Sequence, residues 1–184
     1  MSRASRRDWL VAGLAVLRDR GHHAITVDRL CDAIDKTKGS FYHHFVDLDA
    51  YLAALLQLWE AELTEQPIEV SRAEPDNQRR TARLGEVVSK LDHRLDRAVR
   101  AWALRDDRAR VAMARVDARR IDFLAELHQS EGEFARLRAE LDYAAFVGIQ
   151  HVDALSSTPS RAARLDRELQ RALDALGRAN RRRS

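Results

Sequence analysis

The sequence of 184 residues contains one cysteine, three prolines and seven glycines. A single cysteine excludes an internal disulfide and a thiolate metal cluster. We expect Cys31 to be a small buried core residue, because it lies on the apolar stripe of a short predicted helix. No apolar run approaches the roughly 18 residues that a membrane-spanning helix needs. The basic N-terminus lacks the apolar core of a signal peptide. The sequence therefore predicts a cytoplasmic protein with no membrane partner.

The residues that are plentiful are helix formers. Ala, Leu, Arg and Glu dominate, Gly and Pro are scarce, and no strand-like alternation of apolar and polar residues is present. We expect an all-α fold of about nine helices. Residues 1–46 hold eight Lys and Arg against five Asp and Glu, so this quarter of the chain accounts for the whole net charge of +3. A basic N-terminal module is suited to phosphate.

The first 46 residues predict three helices. The first runs over 6–20 and is capped by Ser5. Thr26 caps the second, whose buried stripe is Val27, Leu30, Cys31 and Ile34. After a turn at Asp35-Lys36, Thr37 caps a short third helix over 38–44. Two short helices joined by a tight turn, with a basic second helix, suggest a helix-turn-helix.

Further helices follow this unit. Asp47 caps a long fourth helix, which we expect Pro67 to end. Residues 66–80 are predicted to form a long connection between two helices. The remaining predicted helices cover 79–91, 92–105, 107–129, 131–155 and 159–179, the last capped at Thr158-Pro159.

The third helix has two different faces. Phe41 and Phe45 are four residues apart and face the core. Lys38, Ser40, Tyr42 and His43 then point outward, and these are donor types that meet phosphates and base edges. Gly39 lowers helix propensity, which makes sense where the backbone must approach a phosphate.

Thr26-Val27 through Leu30 and the run from Thr37 to Phe45, TKGSFYHHF, resemble the TetR family signature. The resemblance implies a helix-turn-helix DNA-binding domain over 1–46 and an all-α ligand-binding and dimerisation domain over 47–184. It implies a ligand-responsive repressor that binds a palindromic operator in double-stranded DNA as a dimer. The implied DNA-binding residues are Thr26, Lys36, Thr37, Lys38, Gly39, Ser40, Tyr42 and His43.

Three positions depart from the family pattern. Asp35-Lys36 replaces a usual Gly-Val in the turn, and Leu48 stands where a basic residue often begins the fourth helix. Asp tolerates the left-handed backbone, so the turn can form, and Lys36 must extend outward or reach a phosphate. These changes leave open an alternative function, a helical interaction or scaffold protein that has lost or weakened DNA binding.

The C-terminal helices predict a homodimer. Helix 131–155 carries two apolar strips and helix 159–179 carries one, so both can bury a face against a second copy. The alternative is that both helices only complete a bundle within one chain.

A pocket for a small, mostly apolar ligand is implied by the resemblance. The candidate pocket residues are Trp102, Met113, Asp117, Phe123, Tyr143, Phe146 and Gln150. A buried Asp117 needs a partner, which Arg120 or Trp102 could supply, and a structural lock between the sixth and seventh helices is the simpler interpretation.

Nothing in the sequence indicates an enzyme, a cofactor or a metal site. There is no Gly-rich phosphate loop, no metal-ligand spacing and no nucleophile motif.

Overall fold

The computed structural model describes residues 4–154 and 160–181. They form α-helices and short helical turns, with no strand in these two ranges, which confirms the all-α prediction. The helices are α1 Arg6–Arg20, α2 Val27–Ile34, α3 Lys38–His44, α4 Leu48–Glu60, α5 Gln66–Arg72, α6 Asn77–Ser89, α7 His93–Ala103, α8 Asp107–Leu127, α9 Phe134–Ala154 and α10 Ser160–Arg181. The last five lie within three residues of their predicted bounds, and the predicted cap Thr158-Pro159 lies outside the described residues.

The prediction that Pro67 ends the helical run is wrong. The chain passes from α4 through a π-helical turn, Ala61–Glu65, directly into α5, and Pro67 is the second residue of that helix. In a regular α-helix the proline ring would collide with the carbonyl of Leu63, four residues earlier. The wider π turn directly before the proline is a known way to accommodate such a break, so the helix continues instead of ending.

The chain divides into two compact units. The first comprises Met1–Gln66 and Leu91–Val116, and the second comprises Pro67–Lys90 and Asp117–Ser184. The first unit contains all of the predicted DNA-binding domain. The domain boundary predicted after residue 46 stays a prediction.

The first unit is built on a close crossing of α1 and α4. The Tyr51 hydroxyl on α4 donates a hydrogen bond of 2.9 Å to the carbonyl oxygen of Trp9 on α1. A Cβ at Gly13 would lie 1.8 Å from that hydroxyl, so only glycine fits at this crossing. α7 is fixed to α4 by Trp59, whose indole N–H donates to the buried Asp96 carboxylate at 2.8 Å. The core formed in this way supports α2 and α3.

The second unit contains a buried charge. Arg138 on α9 is only 2% exposed and donates hydrogen bonds of 2.9 Å to Gln170 and Asp174 on α10. It also donates to Asp142, one turn along α9, at 3.2 Å. A buried guanidinium requires such partners, because desolvating an unpaired charge costs several kcal/mol (about 3–5 when one partner is removed). The cluster therefore holds α10 on α9.

Candidate nucleic-acid interface

The two helices of the helix-turn-helix begin at threonine caps. The Thr26 hydroxyl oxygen accepts a hydrogen bond from the Arg29 amide at 3.3 Å, and the Thr37 hydroxyl oxygen accepts one from the Ser40 amide at 3.3 Å. Both threonines are exposed. A hydroxyl that accepts from a backbone amide still has its own proton to donate. Each cap therefore presents an O–H donor at a helix N-terminus, where anions bind favourably.

The turn between α2 and α3 has the geometry expected from its sequence. Asp35 adopts φ 52° and ψ 58°, the left-handed conformation, as its tolerance of that region predicts. The Lys36 amide then donates to the Cys31 carbonyl at 3.0 Å and closes the end of α2. The Lys36 ammonium donates to the Asp35 carbonyl at 3.1 Å, so in this state it caps the turn.

The inner face of α3 packs as its spacing predicts. Phe41 and Phe45 are buried, and the Phe41 ring lies 5.4 Å from the rings of both Trp9 and Tyr51. The edge-to-face arrangement with Trp9 is a favourable aromatic geometry. Cys31 is buried in the same core, as its place on the apolar stripe predicts, and burial raises the pKa of its thiol.

The outer face of α3 is open to solvent. Tyr42 is 54% exposed, Lys38, Gly39 and His43 are exposed, and Ser40 is half-buried. A Cβ at Gly39 would come no closer than 3.8 Å to any atom, so packing within the chain does not require glycine there. This outer face offers ammonium, hydroxyl, phenol and imidazole groups to a partner.

The structure pairs Lys38 with a residue that the sequence did not single out. The Lys38 ammonium lies 2.5 Å from the carboxylate of Asp28 on α2, and both side chains are largely exposed. A hydrogen bond to Asp28 raises the pKa of Lys38. The helix dipole favours an acidic residue in the first turn of α2, which accounts for the position of Asp28. The sequence offers no other indication that Asp28 pairs with Lys38.

The start of α1 lies against the end of α3. The His44 imidazole donates a hydrogen bond of 2.9 Å to the Ala4 carbonyl. The Arg6 guanidinium lies 5.0 Å above the centre of the Phe45 ring, a cation–π contact. Arg6 is exposed, so a positive charge stands beside the C-terminal end of α3.

The predicted pocket residues fall into separate places. Trp102 and Met113 are buried in the core of the first unit, where Trp102 stacks on His22 with ring centres 5.7 Å apart. Phe123 packs with Ile68 and Leu127 in an apolar cluster of the second unit. The pocket prediction is not tested by these placements.

Asp117, Tyr143 and Phe146 are brought together in the second unit. The Tyr143 hydroxyl donates to Asp117 at 2.6 Å and accepts from Arg120 at 3.3 Å. The ring centres of Tyr143 and Phe146 are 6.4 Å apart, and Gln150 is buried one turn further along α9. One partner of Asp117 is therefore a tyrosine on α9, which sequence spacing along α8 could not identify.

An open groove lies between α4 and α8 within the first unit. It has a volume of about 410 Å³ and is lined by Ala53, Leu56, Gln57, Asp107, Arg108, Val111, Ala112 and Arg115. None of the predicted pocket residues lines this groove. Arg108 donates to Asp49 at 3.1 Å and Arg115 pairs with Glu60, so both arginines of the rim are already neutralised.

Two other features are absent from residues 4–154 and 160–181. No helix there is both long and apolar enough to cross a bilayer. No group of three or more His, Cys, Asp or Glu side chains in that part of the chain is arranged to hold a metal ion.

The comparisons with known proteins agree with this geometry. Residues 10–55 match the family model for bacterial regulatory proteins of the tetR family. No curated protein sequence gives a match to the chain.

Three solved structures illustrate the likeness of fold. Escherichia coli NemR in its reduced form is 19% identical, with a TM-score of 0.73 over 90% of this chain and 95% of that one. Bacillus subtilis FadR in complex with stearoyl-CoA is 14% identical, with a TM-score of 0.67 over 92% and 97%. SmeT, the repressor of the Stenotrophomonas maltophilia efflux pump SmeDEF, is 16% identical, with a TM-score of 0.67 over 95% and 90%.

At identities below 20%, these structures show a shared fold and nothing more. The match over residues 10–55 covers the helix-turn-helix. Residues 10–55 therefore resemble the tetR family of bacterial regulatory proteins, and the chain shares the fold of the three structures above.

Proposed function

We propose that the protein is a ligand-responsive repressor that binds a palindromic operator as a homodimer in the cytoplasm. The observation that carries the proposal is the outer face of α3, where Lys38, Tyr42 and His43 are exposed around a glycine that packing does not require. SmeT is a repressor with the same fold, which supports the same direction of regulation here.

The proposed contacts divide by chemistry. Thr26, Thr37 and the amides around Gly39 hold phosphates, because helix N-termini offer oriented donors to anions. Lys36 lies beside them in the turn. Ser40, Tyr42 and His43 meet base edges in the major groove, where hydroxyl and imidazole donors can read the donor and acceptor pattern. Lys38 is close to the N-terminus of α3, so we assign it to a phosphate.

The proposed dimer forms through α9 and α10. One strip of α9 is exposed, and its members are Leu137, Leu141, Ala144, Gly148 and Val152. The other strip, with Tyr143 and Ile149, is turned toward its own chain. An apolar helix face that is open in the single chain needs a cover, and a second copy provides one under two-fold symmetry.

The proposed effector site uses the polar cluster of the second unit. Asp117, Arg120 and Tyr143 form a hydrogen-bonded set beside the Phe146 ring. A few polar groups among aromatic side chains are typical of small-molecule sites. FadR, which has the same fold, binds stearoyl-CoA in its structure. We propose a small, mostly apolar ligand whose polar end meets this cluster.

Selection of DNA from a random duplex pool tests the function. The wild-type protein should enrich a sequence with two-fold symmetry, with half-site centres about 34–36 Å apart or slightly more. The Tyr42→Ala protein should enrich no common sequence. A wild-type protein that enriches nothing would instead be the helical scaffold protein that Lys36 and Leu48 left open.

A further inference from the structure

An acidic residue of α2 pairs with a lysine on the outer face of α3. Asp28 lies in the first turn of α2, two residues after the Thr26 cap, and its carboxylate is 2.5 Å from the Lys38 ammonium. Side-chain exposure is 71% for Asp28 and 61% for Lys38. The pair is therefore accessible on the same surface that offers Thr26 and Tyr42 to DNA.

A carboxylate at this place acts on the same lysine that a phosphate would contact. Both groups are anionic oxygen acceptors, and an ammonium binds either one as a point charge. While Asp28 holds Lys38, the pair has no net charge and releases no counterion from DNA. The ammonium has three N–H donors, but its single charge is fully available to a phosphate only when Asp28 moves away.

We propose that Asp28 is an affinity-setting residue of the DNA interface, which occupies Lys38 in the free protein and must be displaced by a DNA phosphate. The inference rests on the proposed DNA-binding function. Asp28 should lower the affinity for every DNA sequence alike, because a phosphate contact carries no base information. Asp28 thereby keeps binding weak wherever the contacts of Ser40, Tyr42 and His43 to bases are missing.

The test compares Asp28→Asn with wild type on the selected operator and on a random duplex, by fluorescence anisotropy at several salt concentrations. An exposed ion pair is worth about twofold to fivefold in an equilibrium, so the dimer should bind both duplexes about 4- to 25-fold more tightly. The log–log slope against salt should change by well under 0.9 for each α3, because Lys38 neutralises the same phosphate in both complexes.

Two controls separate the ion pair from net charge and from folding. Asp32→Asn makes the same charge change one turn further along α2, at an exposed residue that forms no ion pair with Lys38 among the described contacts. It should change binding by less than about twofold, as expected of an unpaired surface charge. Asp28→Ser, which removes the same carboxylate but leaves a much shorter side chain, should reproduce Asp28→Asn.

The same substitution in a Lys38→Met protein completes a double-mutant cycle. There Asp28→Asn should lose most of its effect, because the lysine it frees is absent. An equal effect with and without Lys38, or equal effects of Asp28→Asn and Asp32→Asn, would overturn the inference. So would tighter binding confined to the operator, or weaker binding with lost sequence preference, since either would mean that Asp28 aims Lys38 at a base. Failure of the wild-type protein to bind DNA would contradict the proposed function instead.

Discussion

At the scale of single residues, Asp35 determines how the chain passes from α2 to α3. It holds the left-handed conformation, which costs a residue with a Cβ about 1–2 kcal/mol unless its side chain is suited to it. Asp35→Ala should therefore lower the free energy of unfolding by about 1 kcal/mol, whereas Asp35→Gly should keep or raise it. Urea unfolding of the three proteins measures both effects.

The exposed Asp32, one turn earlier in helical conformation, provides the matched control. Asp32→Ala should not destabilise the protein, because alanine favours helix. Equal stability of the Ala and Gly variants at position 35 would show that the turn does not depend on this backbone conformation.

Single residues also show where sequence reasoning works. The inward Phe41 and outward Tyr42 follow from helical spacing alone, and so does the Asp35 turn. The contacts Lys38–Asp28 and His44–Ala4 join residues 10 and 40 positions apart. Such pairs depend on how helices pack, and no local pattern specifies them.

At the scale of elements, the crossing of α1 and α4 depends on the absence of a side chain at Gly13. A Cβ there would meet the Tyr51 hydroxyl at 1.8 Å. Gly13→Ala should lower the free energy of unfolding by about 1–3 kcal/mol, the usual effect of overpacking a core. Tyr51→Phe removes the nearest atom, so Gly13→Ala should be milder in that background. Thermal unfolding of the four proteins measures the coupling.

Gly85 provides the contrast, because a Cβ at this helical glycine would meet nothing within 4 Å. Gly85→Ala should raise the free energy of unfolding by up to about 1 kcal/mol, the gain in helix propensity. If Gly13→Ala were equally stabilising, the close crossing would be refuted.

The attachment of α10 to α9 depends on Arg138. Its removal takes the guanidinium from the largely buried Asp142 carboxylate, so Arg138→Met should cost up to about 3–5 kcal/mol of unfolding free energy. Arg136 lies on the same helix but is exposed and pairs with Asp122 and Glu140, so Arg136→Met should change stability little. Urea unfolding compares them, and equal effects would mean that burial of Arg138 does not matter.

The elements were largely predictable, with one exception that has a physical cause. Apolar spacing and caps located the helices, but Pro67 was taken as a stop because its ring cannot continue a regular α-helix. The π turn Ala61–Glu65 removes that conflict. Apart from the proline itself, nothing in the local sequence indicates a π turn, because such turns are rare and have no apolar spacing of their own.

At the scale of the whole molecule, the exposed strip on α9 predicts a dimer. A Cβ at Gly148 would meet nothing within 4 Å in the single chain, so Gly148→Arg should fold normally. In a dimer the arginine would stand between the two α9 helices and separate them. Light scattering should give twice the chain mass of 21.0 kDa for wild type and the single mass for Gly148→Arg.

Gly85→Arg is the matched control, because Gly85 is equally open and lies on α6, outside the proposed interface. It should remain dimeric. A monomeric wild-type protein would show that the dimer does not form. A dimeric Gly148→Arg protein would show that the interface lies elsewhere.

At this scale the sequence could predict the fold class but not which residues come together in space. The fold class and the open face of α3 followed from periodicity and from the resemblance in residues 26–45. The candidate pocket did not, because aromatic residues on helices look alike whether they line a cavity or fill a core. Trp102 belongs to the core of the first unit, whereas Tyr143 carries the polar cluster of the second.

The central claim is that the outer face of α3 reads DNA. Fluorescence anisotropy of the selected operator with wild type, Lys38→Ala and Tyr42→Ala, at two salt concentrations, tests it most directly. Lys90→Ala, at the exposed lysine that follows the end of α6, controls for the lost charge. Lys38→Ala should weaken binding to every duplex and lower the salt slope by about 1 per half-site, and Tyr42→Ala should weaken operator binding selectively. Operator affinity unchanged in both variants would contradict the account.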